Sequence, residues 1–345
     1  MKVTINDVGI KAISAVVPKQ KRGYEDLAKI VGEKDARRIC RNTGIDFVRV
    51  SKEGETAADL CEVAARKILE KEDINKITGL IFVSQTPDYK IPATSCVLQQ
   101  KLGLPYTTVC YDVNSGCTAF IKGLHLASMI ASTTHGDVLL LVGDTMTKHV
   151  SSKDHSLYLL MGDAGSAALI SQVSGKNMEF NLQTYGENYS SLIIPAGGNR
   201  LPSSSSTSEV VECEKGNWRS QEHLYMDGMA IMLFALSKVT SLVAEEIKAK
   251  QSPPNLYVFH QANEFIVNSM TKNLKLDFDK RLLSVKEYGN TGPASIPLAI
   301  CDSLSTDNSS YQRDSVLMVG FGIGLAIATV LTDLTDTLIY PVVEV

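Results

Sequence analysis

An internal duplication limits the fold of this chain more than any other feature. Three short segments of the first half recur in the second half in the same order, at offsets of 176, 176 and 177 residues. The matching pairs are Ile81–Gln85 with Tyr257–Gln261, Asn114–Cys117 with Asn290–Pro293, and Val142–Asp144 with Val319–Phe321. Matches in one order at nearly one offset, about half the chain length, indicate two related halves rather than chance similarity.

The two halves show the same alternation of apolar strands and helices. Strands are predicted at 78–84, 108–113, 137–142, 255–259, 282–286 and 315–319, and helices at 56–71, 117–132, 229–250 and 294–304. This alternation predicts an α/β protein with mixed or parallel sheets, divided into halves 1–174 and 175–345. The segment 185–224 is the least regular, and we interpret it as a loop insertion, either at an active-site mouth or on the surface.

The overall composition argues against several classes of protein. The formal net charge of −4 argues against a nucleic-acid binder, which needs a strong positive field. No run of apolar residues is long enough for a membrane helix, and the start of the chain lacks the apolar region of a signal peptide, so we expect a cytoplasmic protein that does not contact membranes. The seven cysteines are scattered without a Cys-x-x-Cys pair, which predicts neither disulfides nor a metal site.

Cys117 is the residue whose sequence context most favours chemistry. It follows an apolar strand and a Gly116 turn, and a helical pattern begins there. Amide groups at a helix start favour negative charge, so we expect this thiol to ionise more readily than usual. A small buried structural cysteine remains the alternative interpretation.

His260 and Asn290 lie at the corresponding turns of the second half. Either residue alone is more typical of a structural histidine or a simple turn. A pseudo-twofold relation between the halves would bring these turns to Cys117, and together they would supply a thiolate and two hydrogen-bond donors. That set suits thioester chemistry, in which negative charge develops on sulfur and then on carbonyl oxygen. The glycine-rich run 320–325 lacks the context of a dinucleotide site, so no cofactor is predicted.

Several motifs together resemble the ketoacyl synthase III family, which initiates fatty-acid synthesis and has relatives in specialised lipid and polyketide pathways. The matching runs are Asp112–Leu124 (DVNSGCTAFIKGL), Phe259–Asn263 (FHQAN), Tyr288–Pro297 (YGNTGPASIP) and Gly320–Leu325 (GFGIGL), and the segments Thr43–Ile45, Gly162–Asp163 and Met226–Gly228 also match. The resemblance spans nearly the whole chain. It implies a thiolase-like fold in five layers, αβαβα, and a homodimer.

The same resemblance implies a role for each motif residue. Cys117 would take the acyl group from an acyl-CoA or an acyl carrier protein. His260 and Asn290 would bind the malonyl thioester carbonyl of malonyl-acyl carrier protein while carbon dioxide leaves. The backbone N–H groups of Cys117 and of the Gly322–Ile323 region would hold the tetrahedral oxyanion, and Phe321 would crowd the malonyl carboxylate.

The chain departs from the family pattern around the donor site. Where the family carries an adenine-stacking tryptophan and arginine, this chain has Arg38 and His155, and the arginine that docks the carrier protein is replaced by Phe265. Ile323 stands at an oxyanion position that is usually glycine, and Ile91 stands where the partner subunit usually supplies a phenylalanine to the acyl pocket. We assign Lys272 to thioester or carrier binding as well. These departures favour an unusual donor and a specialised pathway.

Other reactions remain open on this scaffold. Acyl transfer to an alcohol or amine would need Cys117 and His260 but not Asn290. A non-catalytic partner subunit would not need the cysteine. A hydroxymethylglutaryl-type condensation would need a carboxylate base near Cys117, and the adjacent motif contains no glutamate.

Overall fold

The computed structural model describes residues 1–306 and 311–345. The strands of these ranges are β1 Lys2–Val17, β2 Lys21–Gly23, β3 Phe47–Arg49, β4 Ile77–Val83, β5 Val109–Val113, β6 Asp137–Asp144, β7 Ala164–Thr184, β8 Leu192–Ile193, β9 Val211–Glu212, β10 Trp218–Arg219, β11 Tyr225–Met226, β12 Leu256–Phe259, β13 Val316–Gly322, β14 Ala326–Thr332, β15 Leu338–Ile339 and β16 Val343–Glu344. The helices are α1 Tyr24–Val31, α2 Glu33–Thr43, α3 Ala57–Leu69, α4 Thr94–Lys101, α5 Ala119–Thr134, α6 Gly228–Phe234, α7 Thr240–Lys248, α8 Glu264–Asn273, α9 Val285–Tyr288 and α10 Ser295–Leu304.

Strand pairing repeats between the halves, which confirms the duplication. In the first half β4 pairs in parallel with β6, β6 pairs antiparallel with the first part of β7, and that part pairs antiparallel with β1. In the second half β12 pairs in parallel with β13, β13 pairs antiparallel with β14, and β14 pairs antiparallel with the second part of β7. One parallel and two antiparallel pairings therefore recur in the same order in both halves, and the first half adds a parallel pairing of β4 with β5.

The long strand β7 joins the two sheets. Residues 164–170 pair with β6, residues 179–184 pair with β14, and Gly175 between them has a φ of +78°. Glycine adopts this left-handed conformation without a Cβ penalty, which allows the strand to change partner there. The division that we propose between residues 174 and 175 lies at this point.

Successive side chains of the central strands are buried on opposite faces, as in sheets covered on both sides. In β4, Leu80 packs into a core with α3 and α4, and Ile81 packs into a core with α5 and α10. In β12, Val258 faces the α5 and α10 core, and Phe259 faces a third core that includes α6 to α8. Two helices thus lie between two sheets whose outer faces carry further helices, which confirms the five-layered thiolase-like arrangement.

One predicted segment is wrong, and another is more regular than expected. The predicted strand at 282–286 is wrong: only an isolated bridge joins Tyr257 to Arg281, and α9 follows. The segment 185–224 contains the short strands β8 to β10 and a buried ion pair between Arg219 and Asp154, whose Nη1 and Oδ2 atoms are 2.8 Å apart. A charged pair fixed in this way orders a segment that otherwise has little regular structure.

One helical stretch within the described residues, Gly228–Lys248, is long and apolar enough to cross a membrane when judged by length and composition alone. It comprises α6, a π-helical turn at Ala235–Val239 and α7. Phe234 and Val243 are buried in the core beneath the second sheet. The core helix of a protein meets the same criterion, but only 33% of this stretch is buried, so packing accounts for part of its apolar composition.

Candidate active site

Cys117, His260 and Asn290 line one cavity of about 130 Å³, together with Phe321 and Gly322. They come from three separate turns: between β5 and α5, after β12, and before α10. The rest of the lining is mostly apolar and includes Leu160, Met161, Leu192, Met226, Ile231, Met232, Ala262, Asn263, Phe265 and Ile266. The duplicated halves therefore bring residues distant in sequence to one pocket, which suits a thiol ester with an acyl chain.

The sulfur of Cys117 lies against the turn that follows β13. Gly322 has a φ of +143°, and a Cβ built on it would lie 2.9 Å from the Cys117 Sγ atom. The backbone N–H of Ile323 and that of Cys117 itself both interact with this sulfur and favour its ionised form. These are the two backbone regions that we assign to the oxyanion site, so glycine at 322 is required for the sulfur to approach them.

The expectation that Cys117 ionises readily is wrong for the resting structure. Burial raises the pKa of the Cys117 thiol to about 11, and the nearby Asp144 carboxylate acts in the same direction against the two N–H groups. Helix α5 begins at Ala119, after an N-cap at Thr118, so Cys117 precedes the helix and is not part of its first turn. Cys117 keeps some accessible surface at the cavity wall, but loss of water around a thiolate outweighs the amide dipoles.

This pKa predicts slow alkylation of the resting enzyme. Because the thiolate is the reactive form, the rate at which iodoacetamide labels Cys117 should rise about tenfold per pH unit from pH 7 to pH 10. Peptide mapping by mass spectrometry would follow Cys117 separately from the exposed Cys96, which serves as an internal control. A labelling rate that reaches a plateau below pH 8 would show that the amide groups, and not burial, determine the pKa of this thiol.

Asp144 is a buried carboxylate that the sequence interpretation did not single out. Its Oδ1 atom accepts hydrogen bonds from the Ser84 hydroxyl (2.8 Å), from the Gln85 N–H (2.7 Å), and from both the N–H and the hydroxyl of Thr86 (3.2 Å each). Its Oδ2 atom has no partner among the described residues, and burial raises the pKa of the carboxyl to about 7. Asp144 thus joins the ends of β4 and β6 behind the cysteine, but it does not line the cavity.

His260 is held rigidly at the end of β12. Its backbone N–H donates to the Val319 carbonyl oxygen at 2.7 Å, and its Nδ1 atom lies 2.7 Å from the Ser295 hydroxyl oxygen. The ring meets Phe321 edge to face at 5.4 Å. Burial lowers the pKa of His260 to about 3, so the imidazole is neutral at physiological pH. A neutral ring can donate one hydrogen bond into the cavity without bringing a charge.

Asn290 presents its amide nitrogen to the cavity. Its Oδ1 atom accepts a hydrogen bond from the Gly292 N–H at 3.0 Å, which fixes the side-chain orientation. Its backbone N–H donates to the Leu160 carbonyl oxygen, and its carbonyl accepts from the Gly162 N–H. The Nδ2 donors have no partner within residues 1–306 and 311–345, so they are free for a substrate oxygen.

Two of the predicted donor-binding residues lie at or beside the cavity, and the other two do not line it. Phe265 lines the cavity that contains Cys117 and is 53% exposed, and Lys272 lies with it in a neighbouring surface groove that also includes Arg41. Arg38 lies on the exposed side of α2, where it pairs with Asp35. The structure does not place Arg38 or His155 on the lining of this cavity.

The last predicted pocket residue, Ile91, is 86% exposed and lies away from the cavity of its own chain. The resemblance implies that Ile91 contributes to the acyl pocket of a partner subunit. Its exposure on its own chain is compatible with that role. Ser295 is the functional candidate that sequence reasoning missed. It lies inside the YGNTGPASIP run, but only the fold shows that it contacts His260.

The fold and the Cys–His–Asn pocket define a thiolase-like condensing enzyme, and comparisons with known proteins agree. Residues 111–186 match the family model for 3-oxoacyl-[acyl-carrier-protein] synthase III, and residues 245–334 match the model for its C-terminal part. The chain is 31% identical over 324 residues to beta-ketoacyl-[acyl-carrier-protein] synthase III of Clostridioides difficile, covering 92% of this chain and 95% of that one. It is 30% identical over 336 residues to a putative 3-oxoacyl-[acyl-carrier-protein] synthase 3 of Campylobacter jejuni, covering 95% of each.

Solved structures give the same result. The crystal structure of a 3-oxoacyl-(acyl-carrier protein) synthase from Burkholderia xenovorans superposes with a TM-score of 0.91 at 30% identity, covering 100% of this chain and 99% of that one. The chain therefore belongs to the 3-oxoacyl-[acyl-carrier-protein] synthase III family. It is a condensing enzyme, a transferase of acyl groups.

Proposed function

We propose that the enzyme condenses an acyl thioester with a malonyl thioester through an acyl-Cys117 intermediate and releases a 3-oxoacyl thioester. The observation that carries this proposal is the meeting of Cys117, His260 and Asn290 in one mostly apolar cavity. Thiol, neutral imidazole and free amide are the groups that acyl capture and enolate stabilisation require.

The first step is acyl capture. The Cys117 sulfur attacks the donor carbonyl, the new C–S bond forms, and the donor C–S bond breaks. The thiol proton ends on the departing thiol, so the exchange is balanced without a net proton. The N–H groups at Cys117 and Ile323, which contact the sulfur, stabilise the tetrahedral oxyanion during attack.

The second step is decarboxylative condensation. The malonyl thioester carbonyl accepts hydrogen bonds from His260 and Asn290, carbon dioxide leaves, and the electron pair of the broken C–C bond forms an enolate. The enolate carbon attacks the acyl-Cys117 carbonyl, and the tetrahedral intermediate expels the Cys117 thiolate, which takes a proton from solvent. Phe321 and the apolar lining destabilise the negative charge of the malonyl carboxylate and so favour its loss as carbon dioxide.

The cavity mouth supports a proposal for the side from which the acyl donor approaches. Phe265 gives this mouth an apolar edge, and Lys272 and Arg41 lie in the adjoining groove. We propose that an acyl-CoA or acyl carrier protein approaches there, with its acidic phosphates or side chains toward the cations and its thioester arm past Phe265. The acceptor is malonyl-acyl carrier protein. A specialised pathway and a cytoplasmic location stay predictions.

We also propose a homodimer. The β5 strand lies at the edge of its sheet, and its Val109 and Tyr111 side chains are exposed. An exposed edge strand presents unpaired backbone groups to which a strand of another chain can pair. A second copy paired at β5 would cover this edge and could bring Ile91 to the partner's acyl pocket. Size-exclusion chromatography with light scattering would measure the mass in solution.

Intact-mass analysis tests the proposed reaction. The protein is incubated with a panel of acyl-CoAs and acyl carrier proteins of different chain length, and the mass of the enzyme is recorded before and after addition of malonyl-acyl carrier protein. An acyl adduct that maps to Cys117 and disappears with release of carbon dioxide supports the proposal. Adduct loss to an alcohol or amine without carbon dioxide release would instead indicate an acyltransferase.

A further inference from the structure

The contact between His260 and Ser295 controls which nitrogen of the imidazole carries the proton. Both side chains are 1% exposed, and the Nδ1 and Oγ atoms are 2.7 Å apart. A neutral histidine has one N–H and one bare nitrogen, and the group bonded to one nitrogen decides the state of the other.

The direction of this hydrogen bond follows from what else Ser295 can contact. The Ser295 hydroxyl has no other hydrogen-bond partner within the described chain. If Nδ1 carried the proton, the hydroxyl would accept it, and its own O–H would be left buried without an acceptor, which is unfavourable. If the hydroxyl donates to a bare Nδ1, both groups are satisfied. The hydrogen bond therefore favours the tautomer with the proton on Nε2.

The Nε2 atom has no hydrogen-bond partner among the described residues, and the ring lines the cavity beside Cys117 and Asn290. We infer that Ser295 is a positioning residue that fixes His260 as a hydrogen-bond donor to the malonyl thioester oxygen. This inference rests on the proposed function for the identity of the acceptor, but the tautomer itself does not depend on any substrate.

The duplication supports a specific role for this pair. At the offset of 176 residues, His260 and Ser295 correspond to Ser84 and Ala119. Ser84 donates to Asp144, and Ala119 has no polar group, so the first half lacks an equivalent contact. The histidine and its serine partner therefore occur together in the half that supplies the two side-chain donors.

Nitrogen NMR of histidine-labelled enzyme reads the tautomer directly. The chain has six histidines, and the His260 signals are assigned by their loss in His260→Ala. We expect wild-type His260 to show a protonated Nε2 and a bare Nδ1 near pH 7, and Ser295→Ala to show a measurable Nδ1-protonated fraction. A wild-type ring protonated on Nδ1, or an unchanged tautomer in Ser295→Ala, would overturn the inference.

Kinetics test the consequence for catalysis. Loss of the fixed donor should lower kcat for malonyl decarboxylation by about 10- to 100-fold in Ser295→Ala, with a much smaller change in KM. Acyl capture by Cys117 should persist, and Ser295→Thr should recover most of the rate because it keeps a hydroxyl. Ser14→Ala, which removes a buried hydroxyl that donates to the Ala64 carbonyl, is the matched control for folding.

Two results separate this inference from the proposed function. If wild-type enzyme neither acquires an acyl group nor releases carbon dioxide, the proposed function fails, but the NMR result still tests the tautomer. If wild-type enzyme condenses normally and Ser295→Ala keeps full kcat, the inference fails and the proposed function stands.

Discussion

Cys117→Ala is expected to abolish the acyl-enzyme and to leave malonyl decarboxylation largely intact. The sulfur is the atom that carries the acyl group, and alanine offers no nucleophile in its place. Condensation should fall by at least roughly 10⁴-fold, as is typical when a covalent nucleophile is removed. His260 and Asn290 do not depend on the sulfur for their own contacts, which are to Ser295 and Gly292. Carbon dioxide release should therefore continue.

Two assays run in parallel measure this separation. Intact mass follows the adduct after incubation with acyl donor, and labelled malonyl thioester follows carbon dioxide. Cys96→Ala, which removes an exposed thiol, is the matched control and should acquire the acyl group as wild type does. An acyl adduct that survives in Cys117→Ala would exclude Cys117 as the acyl carrier. Equal loss of both activities would mean that the sulfur also takes part in decarboxylation.

The duplication allowed much of the fold and the central site to be predicted from sequence. Equal offsets placed His260 and Asn290 at turns equivalent to those of the first half, and the pseudo-twofold arrangement then required them to meet Cys117. The alternation of apolar strands and helices predicted an α/β protein, and the resemblance to the ketoacyl synthase III family implied the five-layered arrangement. The strand predicted at 282–286 is wrong because the segment runs into a short helix, α9, and periodicity does not separate a strand from a helix over five residues.

The electrostatics of the site could not be predicted in the same way. A helix start beside Cys117 suggested a low pKa, but the depth of burial and the position of Asp144 depend on the folded chain. Ser295 was missed for a similar reason. It lies five residues after Asn290 in a recognised run, yet its partner His260 is 35 residues away, and only their packing shows which nitrogen it contacts.

The neutral state of His260 also shapes the pH dependence of the second step. Its pKa is about 3 because of burial, so the ring does not gain a proton between pH 5 and pH 8. A pH dependence of decarboxylation in that range would then come from other groups, such as Asp144, whose pKa is about 7. His260 should therefore donate its hydrogen bond equally well across this interval. The same holds for Asn290, because its amide does not titrate.

Asn290→Ala should slow malonyl decarboxylation by about 10²- to 10³-fold, the usual result of removing one donor to a developing oxyanion. Its Nδ2 group has no other described partner, so its loss removes a contact to substrate and leaves no protein group unpaired except the Gly292 N–H. Acyl capture by Cys117 should continue, because we assign the oxyanion of that step to the backbone N–H groups that contact the sulfur. Asn290→Asp keeps the shape and replaces the donor with a negative charge, so it should be slower still.

The measurement is carbon dioxide release from labelled malonyl thioester, with intact mass for the acyl-enzyme on the same samples. Asn255→Ala, which removes a surface amide that donates to Asp314, is the control and should match wild type in both assays. Decarboxylation at the wild-type rate in Asn290→Ala would contradict the role of this amide. It would leave His260 as the remaining side-chain donor to the malonyl thioester oxygen.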